Sequence, residues 1–125
     1  MAKMIAILLL GLILGGIAVE MWTIRRHAAP RFDSAYQAVL LDTGQVYYGK
    51  VSDLGADFPE LHDVYYIQST TNPDTKQVNN VLIRRGSEWH GPDSTVVNSR
   101  HIVLVEPVGK NSKVAQLIAE QAKAK

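Results

Sequence analysis

The chain has 125 residues, a net charge of +1 at neutral pH and no cysteine. The lack of cysteine excludes disulfides and thiolate metal sites, and the length allows one small domain beside a membrane segment. Residues 34–108 carry five Lys and Arg against nine Asp and Glu. This acidic balance disfavours a nucleic-acid role for that part, because phosphate binding usually depends on a basic patch.

An apolar stretch at residues 4–24, interrupted by a single carboxylate, opens the chain. As a helix it would cover roughly 30 Å, which is the hydrocarbon thickness of a bilayer. A cleaved secretory signal is the alternative, but the run is long for a signal, and Ala28 and Ala29 follow a charged, bulky segment. We therefore expect an uncleaved transmembrane anchor at residues 1–27.

The anchor contains four candidate contacts with a partner helix: Gly11, Gly15, Glu20 and Trp22. Gly11 and Gly15 form a small-xxx-small pair that would admit a second helix, although glycine is also common in membrane helices generally. Trp22 fits the interfacial aromatic belt, and Glu20 is close enough to the boundary to reach headgroups instead of a partner.

Positive charge flanks the apolar stretch unequally. Arg25, Arg26 and Arg31 follow it, whereas Lys3 precedes it. Because cytoplasmic flanks carry an excess of Lys and Arg, we expect the following domain on the cytoplasmic side of the cell inner membrane. Arg25 and Arg26 are expected to contact lipid headgroups.

After a linker at residues 28–34, the chain reads as a mainly β domain at residues 35–108. Runs rich in β-forming residues predict strands at 36–41, 45–51, 61–69, 81–85, 94–98 and 101–106. Gly44 ends a tight turn between the first two strands, and Gly49 predicts a bulge or sharp bend. Since no helix is long enough for a crossover, the pattern favours a small, strongly bent antiparallel barrel or a sandwich.

Two further elements follow from hydrophobic pattern. Residues 101–105 are apolar on both faces, which predicts a central, covered strand. The tail at residues 109–125 begins with Ser112 as a helix N-cap, followed by Val114, Leu117 and Ile118 on one face. We expect a short amphipathic helix that packs on the barrel, lies on the membrane or engages a partner.

Two segments resemble the Sm-like family of the Hfq and LSm type. Residues 40–51 (LLDTGQVYYGKV) resemble its first motif, and residues 94–106 (STVVNSRHIVLVE) resemble its second. The resemblance implies a bent five-stranded barrel of Sm or SH3-like shape, which in that family often assembles edge to edge into rings. The layout of anchor plus domain also resembles small membrane-anchored bacterial proteins.

The sequence differs from this family at the residues that contact RNA. Hfq-like proteins carry Tyr-Lys-His before the second motif, where this chain has Trp89, His90 and Gly91. The resemblance therefore implies the fold and not the RNA chemistry.

No catalytic or metal-binding pattern stands out. The four histidines, which are His27, His62, His90 and His101, lack ligand spacing on one rigid element. The serines lack a nucleophile elbow, and a phosphate-binding glycine loop is absent from the sequence. We predict no catalytic residue, no metal site and no cofactor.

The densest aromatic group is formed by Tyr47, Tyr48, Tyr65 and Tyr66. Cross-strand packing is the favoured explanation, and an exposed surface that binds a partner or stacks bases is the alternative. The candidate partner surface consists of Tyr48, Tyr65, Arg84 and Arg85, although a solvated strand edge also explains the two arginines.

Taken together, these features predict a non-enzymatic, single-pass membrane-anchored interaction or assembly module. It would be an accessory subunit of a larger membrane protein complex, with the bilayer and a protein partner or a second copy as its contacts. A membrane-tethered Sm-like RNA-binding protein is the alternative, and the acidic domain argues against it.

Overall fold

The computed structural model describes the backbone of residues 1–26 and 29–124 and the side chains of residues 1–22 and 29–124. Helix α1 extends from Ala2 to Arg26. Its segment Ala2–Trp22 has a mean hydropathy of 2.4 and is long and apolar enough to cross a membrane. Every described side chain of α1 is exposed, as expected for an apolar helix of membrane length.

The rest of the chain forms an antiparallel sheet and a short helix. Its elements are β1 (Gln37–Leu41), β2 (Val46–Ser52), β3 (Glu60–Thr71), β4 (Val78–Arg84), β5 (Ser94–Val96), a 3₁₀ helix (Ser99–His101), β6 (Ile102–Pro107) and α2 (Lys113–Lys123). The strand order is β4-β3-β2-β1-β6, and β5 pairs with the first residues of β3. The predicted apolar helix, antiparallel sheet and C-terminal helix are confirmed. Among the described residues, the sheet does not close into a barrel.

Strand β3 organises this sheet because it changes partners along its length. Its first half pairs with β2 on one side and β5 on the other, and its second half pairs with β4. A β-bulge marks the change: Asp63 and Val64 of β3 together face Gly49 of β2. Asp63 takes a left-handed conformation with φ of 48°. The bend predicted from Gly49 is thus present, and the extra residue lies on the opposite strand.

The bulge gives the sheet two apolar faces. Val39, Leu61, Val64 and Val97 form one buried cluster, and Tyr65, Leu82 and Ile118 form a second. Val64 and Tyr65 are consecutive in β3, so their side chains point to opposite faces. Each face of the sheet therefore has its own core.

Helix α2 covers the second face. The side chain of Ser112 caps it by accepting a hydrogen bond of 3.1 Å from the amide of Ala115. Ile118 is buried against Tyr65 and Leu82, and the Gln121 side-chain amide donates to the Leu82 carbonyl at 2.8 Å. Of the three roles open to this helix, packing on the sheet is the one observed.

The prediction of a central strand at residues 101–105 is wrong. Among the residues that the structure describes, β6 lies at the edge of the sheet and pairs only with β1, and Val103 is 60% exposed. The apolar run is misleading because Val and Leu side chains tolerate exposure singly. The turn before β6 is also longer than predicted, since residues Ser99–His101 form a 3₁₀ helix capped by the side chain of Asn98.

Replacing Gly49 tests the close approach of β2 to the bulge. A Cβ at this position would lie 3.1 Å from the His62 carbonyl oxygen, a backbone atom with little freedom to move. We expect Gly49→Ala to lower the free energy of unfolding by about 1–3 kcal/mol through overpacking. Thermal unfolding of the full chain in detergent measures this change.

Gly109→Ala is the matched control, because a Cβ at Gly109 would meet no atom within 4 Å. Equal melting temperatures for the two variants would contradict the steric role of Gly49.

Candidate functional site

A charged cluster is centred on Asp63 at the bulge. Lys50 of β2 donates to Asp63 Oδ2 at 2.7 Å, and Arg84 of β4 donates to Oδ1 at 3.0 Å. One carboxylate of β3 thus binds one cation from β2 and one from β4. The three side chains are between about a third and a half exposed, so the cluster is open to solvent.

Aromatic side chains border this cluster. Tyr36, just before β1, lies edge to face against Tyr65, with ring centroids 6.2 Å apart and planes at 69°. The Lys50 ammonium is 5.4 Å from the centroid of the Tyr36 ring, which is within the range of a cation–π contact. The pair of Tyr36 and Tyr65 therefore helps to hold the Lys50 ammonium in the position where Asp63 binds it.

The ionisation of the cluster follows from these contacts. The hydrogen bond from Lys50, together with that from Arg84, holds the pKa of Asp63 below its ordinary value. The same bond to Asp63 raises the pKa of Lys50, and burial raises the pKa of Tyr36. At neutral pH the cluster holds one carboxylate, two cations and a neutral phenol.

A cavity of about 760 Å³ opens beside the cluster. It is lined by Tyr36, Lys50, Asp63 and Arg84, by residues 86–87 and 91–93 of the loop after β4, and by the first two residues of β5. Gln121, near the end of α2, closes one side. The cavity lies on the face of the sheet that α2 covers, where it offers paired charges and backbone groups to a polar ligand.

The second arginine of the predicted surface points to the opposite face. Arg85 lies over the Tyr47 ring, with its guanidinium carbon 5.5 Å from the centroid. Its Nε is 3.4 Å from Glu88 Oε1; this nitrogen is buried and the geometry is too poor for a hydrogen bond, so the contact is an ion pair only. Glu88 accepts a bond from the Gly86 amide at 2.6 Å, which lowers its pKa.

The structure brings together three of the four residues predicted as a partner surface. Tyr48 and Tyr65 are directly opposed across β2 and β3, and Arg84 is opposed to Tyr65 across β3 and β4. Tyr65 is only 4% exposed, so it belongs to the core under α2 rather than to a surface. Arg85 is separated from the others because it follows the last residue of β4 and its guanidinium lies over the Tyr47 ring.

The residues predicted on the anchor all lie on α1. A Cβ at Gly11 or at Gly15 would meet nothing within 4 Å, so open space surrounds this pair. Glu20 and Trp22 lie toward the end of the membrane-length segment. The side chains of Arg25 and Arg26 are outside the described residues, and their predicted headgroup contact stays a prediction.

Sequence reasoning missed the centre of this site. The sequence does contain a sign of the role of Asp63, since this residue is the one carboxylate inside the apolar strand LHDVYYIQS. A charge within such a strand needs a partner, and Lys50 and Arg84 supply it here.

Among residues 1–26 and 29–124, no three His, Asp or Glu side chains are grouped to hold a metal ion. His101 Nδ1 lies 2.7 Å from Asp42 Oδ2 at the surface.

A scan of the chain against models of known protein families found no match, and a search among curated proteins found no match either. A functional proposal therefore depends on the contacts described above and on the sequence motifs.

Asp63→Asn tests the charge of the cluster, because asparagine keeps the size of the side chain and also tolerates the left-handed backbone. We expect the free energy of unfolding to fall by about 1 kcal/mol at neutral pH, since two partly exposed ion pairs are broken. The pKa of Asp63 is lower in the folded state than its ordinary 3.8. Its contribution is therefore present above that value and is lost as the pH falls through the folded pKa.

Thermal unfolding of wild type and Asp63→Asn as a function of pH measures this difference. The difference in stability between the two proteins should be largest near neutral pH and should disappear in acid below about pH 4. Asp74→Asn is the control, because Asp74 is an exposed carboxylate in the turn after β3. This variant should leave the stability unchanged both at neutral pH and in acid. A gap that persists unchanged into acid would contradict the electrostatic role of Asp63.

Proposed function

We propose that this protein is a non-enzymatic, single-pass membrane-anchored interaction and assembly module, which acts as an accessory subunit of a membrane protein complex. The observation that best supports this role is a sheet that has unpaired strand edges and follows a membrane-length helix in the chain. Within the described part of the chain, β6 pairs only with β1, and β5 pairs only with β3. Unpaired strand edges are templates for pairing with another chain.

The exposure of these two edges adds support. Val96 of β5 is 58% exposed, and Val103 of β6 carries a similar exposed fraction. Pro107 ends β6 and has no amide hydrogen to donate, as is common at strand edges. Apolar side chains beside unpaired backbone groups favour a protein occupant over solvent.

An Sm-like bend of the domain is part of this proposal. The two segments that resemble Sm motifs meet in space, since β6 of the second pairs with β1 of the first. Gly49, the bend glycine of the first motif, faces the bulge. A sheet of this kind would join copies or partners through the outer edges of β5 and β6.

The proposed location is the inner membrane, with the sheet on the cytoplasmic side. It is supported by the length and apolarity of Ala2–Trp22 and by the excess of arginine after that segment.

The RNA-binding alternative has weaker support, because the arginines nearest the cavity are engaged. Arg84 is bound by Asp63 and Arg85 by Glu88. We expect the full chain in detergent to show no salt-dependent RNA binding of micromolar strength. A steep fall of such binding with rising salt, measured by fluorescence anisotropy, would favour the RNA-binding role instead.

Cysteine cross-linking tests the assembly through strand edges. The chain has no native cysteine, so Val96→Cys and Val103→Cys place thiols only on the outer edges of β5 and β6. We expect the double variant, treated in membranes with a flexible bismaleimide, to give a ladder of oligomers on denaturing gels. Each single variant should stay monomeric if edge β5 meets edge β6 of the next copy.

Two other results have clear meanings. A dimer from a single variant would indicate a two-fold interface in which like edges meet. A monomeric double variant, with a monomeric mass by native mass spectrometry in detergent, would contradict self-assembly through these edges. Thr75→Cys, in the turn after β3, serves as the exposed control.

A further inference from the structure

The loop between β2 and β3 lies close to the end of the anchor. A Cβ at Gly55 would be 3.0 Å from the Cβ of Ala29, and Ala29 follows the last residue of α1 by three positions. At 3.8 Å per residue, the chain places Gly55 within roughly 17 Å of that helix end. The loop is therefore within reach of the membrane surface from which α1 emerges.

A second observation places the same loop against the linker. Ala29, Pro30, Arg31 and Phe32 line a cavity of about 580 Å³ together with Asp53 and Leu54 of the loop. The start of the domain thus lies against the first residues of the loop between β2 and β3. We call residues 29–32 and the loop residues 53–58 together the junction face. It combines apolar side chains with one cation and two carboxylates.

Phe58 is displayed on the junction face by a fixed backbone. The carbonyl oxygen of Asp57 accepts from the Ser99 amide at 2.9 Å, and that of Pro59 accepts from the Val97 amide at 3.0 Å. Pro59 is fully buried, whereas Phe58 is 61% exposed. Exposing an aromatic ring to water costs about 25 cal/mol for each Å², and here the backbone holds the ring outward.

The turn before Phe58 is also fixed. Asp53 and Gly55 take positive φ values of 56° and 113°, and the Ala56 amide donates to the Asp53 carbonyl at 2.9 Å. The loop therefore presents its side chains from a defined conformation.

We propose that the junction face rests on the surface of the bilayer that α1 crosses, with the Phe58 ring in the interfacial region. Aromatic side chains are stabilised at this depth, where their apolar body leaves water. The membrane is the nearest apolar phase, since chain connectivity keeps the loop beside the helix end. Asp53 and Asp57 limit insertion to the headgroup layer, because carboxylates do not enter the hydrocarbon.

This proposal rests on the proposed function, because it takes α1 as a membrane anchor. It adds an orientation. β3 starts next to the junction face at Glu60 and runs to Thr71, a path of at most about 36 Å. The β3–β4 turn at residues 72–77 would then stand furthest from the membrane.

Site-directed spin labelling of the full chain in vesicles of phosphatidylcholine and phosphatidylglycerol tests this orientation. Because the chain lacks cysteine, Leu12→Cys, Phe58→Cys and Thr75→Cys each carry one label. Collisions with oxygen report a lipid environment, and collisions with a water-soluble nickel chelate report solvent. We expect oxygen to dominate at 12 and at 58, and the chelate to dominate at 75.

The result at position 12 separates the two proposals. If the chelate dominates at 12, the anchor and the junction-face contact are both overturned. If oxygen dominates at 12 but position 58 behaves as position 75 does, only the junction-face contact is overturned. A label at 58 that neither reagent reaches would indicate a protein partner on this face and would also overturn it.

A folding control accompanies the Phe58→Cys variant. Its far-ultraviolet circular dichroism should match that of the wild type, because the replaced ring is exposed and lies outside both core clusters. If the spectrum changes, the label is placed instead at Ala56→Cys, an exposed neighbour in the same loop. The same oxygen-dominated result is expected there.

Discussion

The close contact between Gly49 of β2 and the bulge in β3 governs the rest of the sheet. A single extra residue on β3 shifts the alternation of its side chains, so Leu61 and Val64 both enter one core although they are three positions apart. Glycine fits here without a shift of the facing backbone, whereas a Cβ would lie 3.1 Å from the His62 carbonyl oxygen. Without this shift, the residues that follow would present the wrong side to each core.

The bulge also explains why polar and apolar features lie where they do. Asp63 takes the left-handed conformation there, and its carboxylate binds one cation from β2 and one from β4. Beyond it, β3 exchanges β5 for β4 as its partner. Tyr65 of β3 and Leu82 of β4 lie in this second part of the sheet and form the apolar face that α2 covers.

The proposals together describe a domain oriented by its own anchor. Contact of the junction face with the bilayer would hold the sheet in one orientation beside α1. Oriented edges meet partners in the same membrane more efficiently than edges on a free linker, since their effective concentration is higher. Membrane contact and edge pairing would thus support one another without sharing a surface.

Local pattern alone determined the membrane-length helix, the turn at Gly44, the bend at Gly49 and the Ser112 cap, because each depends on neighbouring residues. The candidate site was predicted in part: Arg84 and Arg85 were singled out, but their separation onto opposite faces and the role of Asp63 were missed. Only the tertiary structure decided that β6 is an edge strand and that Tyr65 is buried. Those outcomes depend on which distant segments pair and pack, and apolar composition is the same in an edge strand as in a central one.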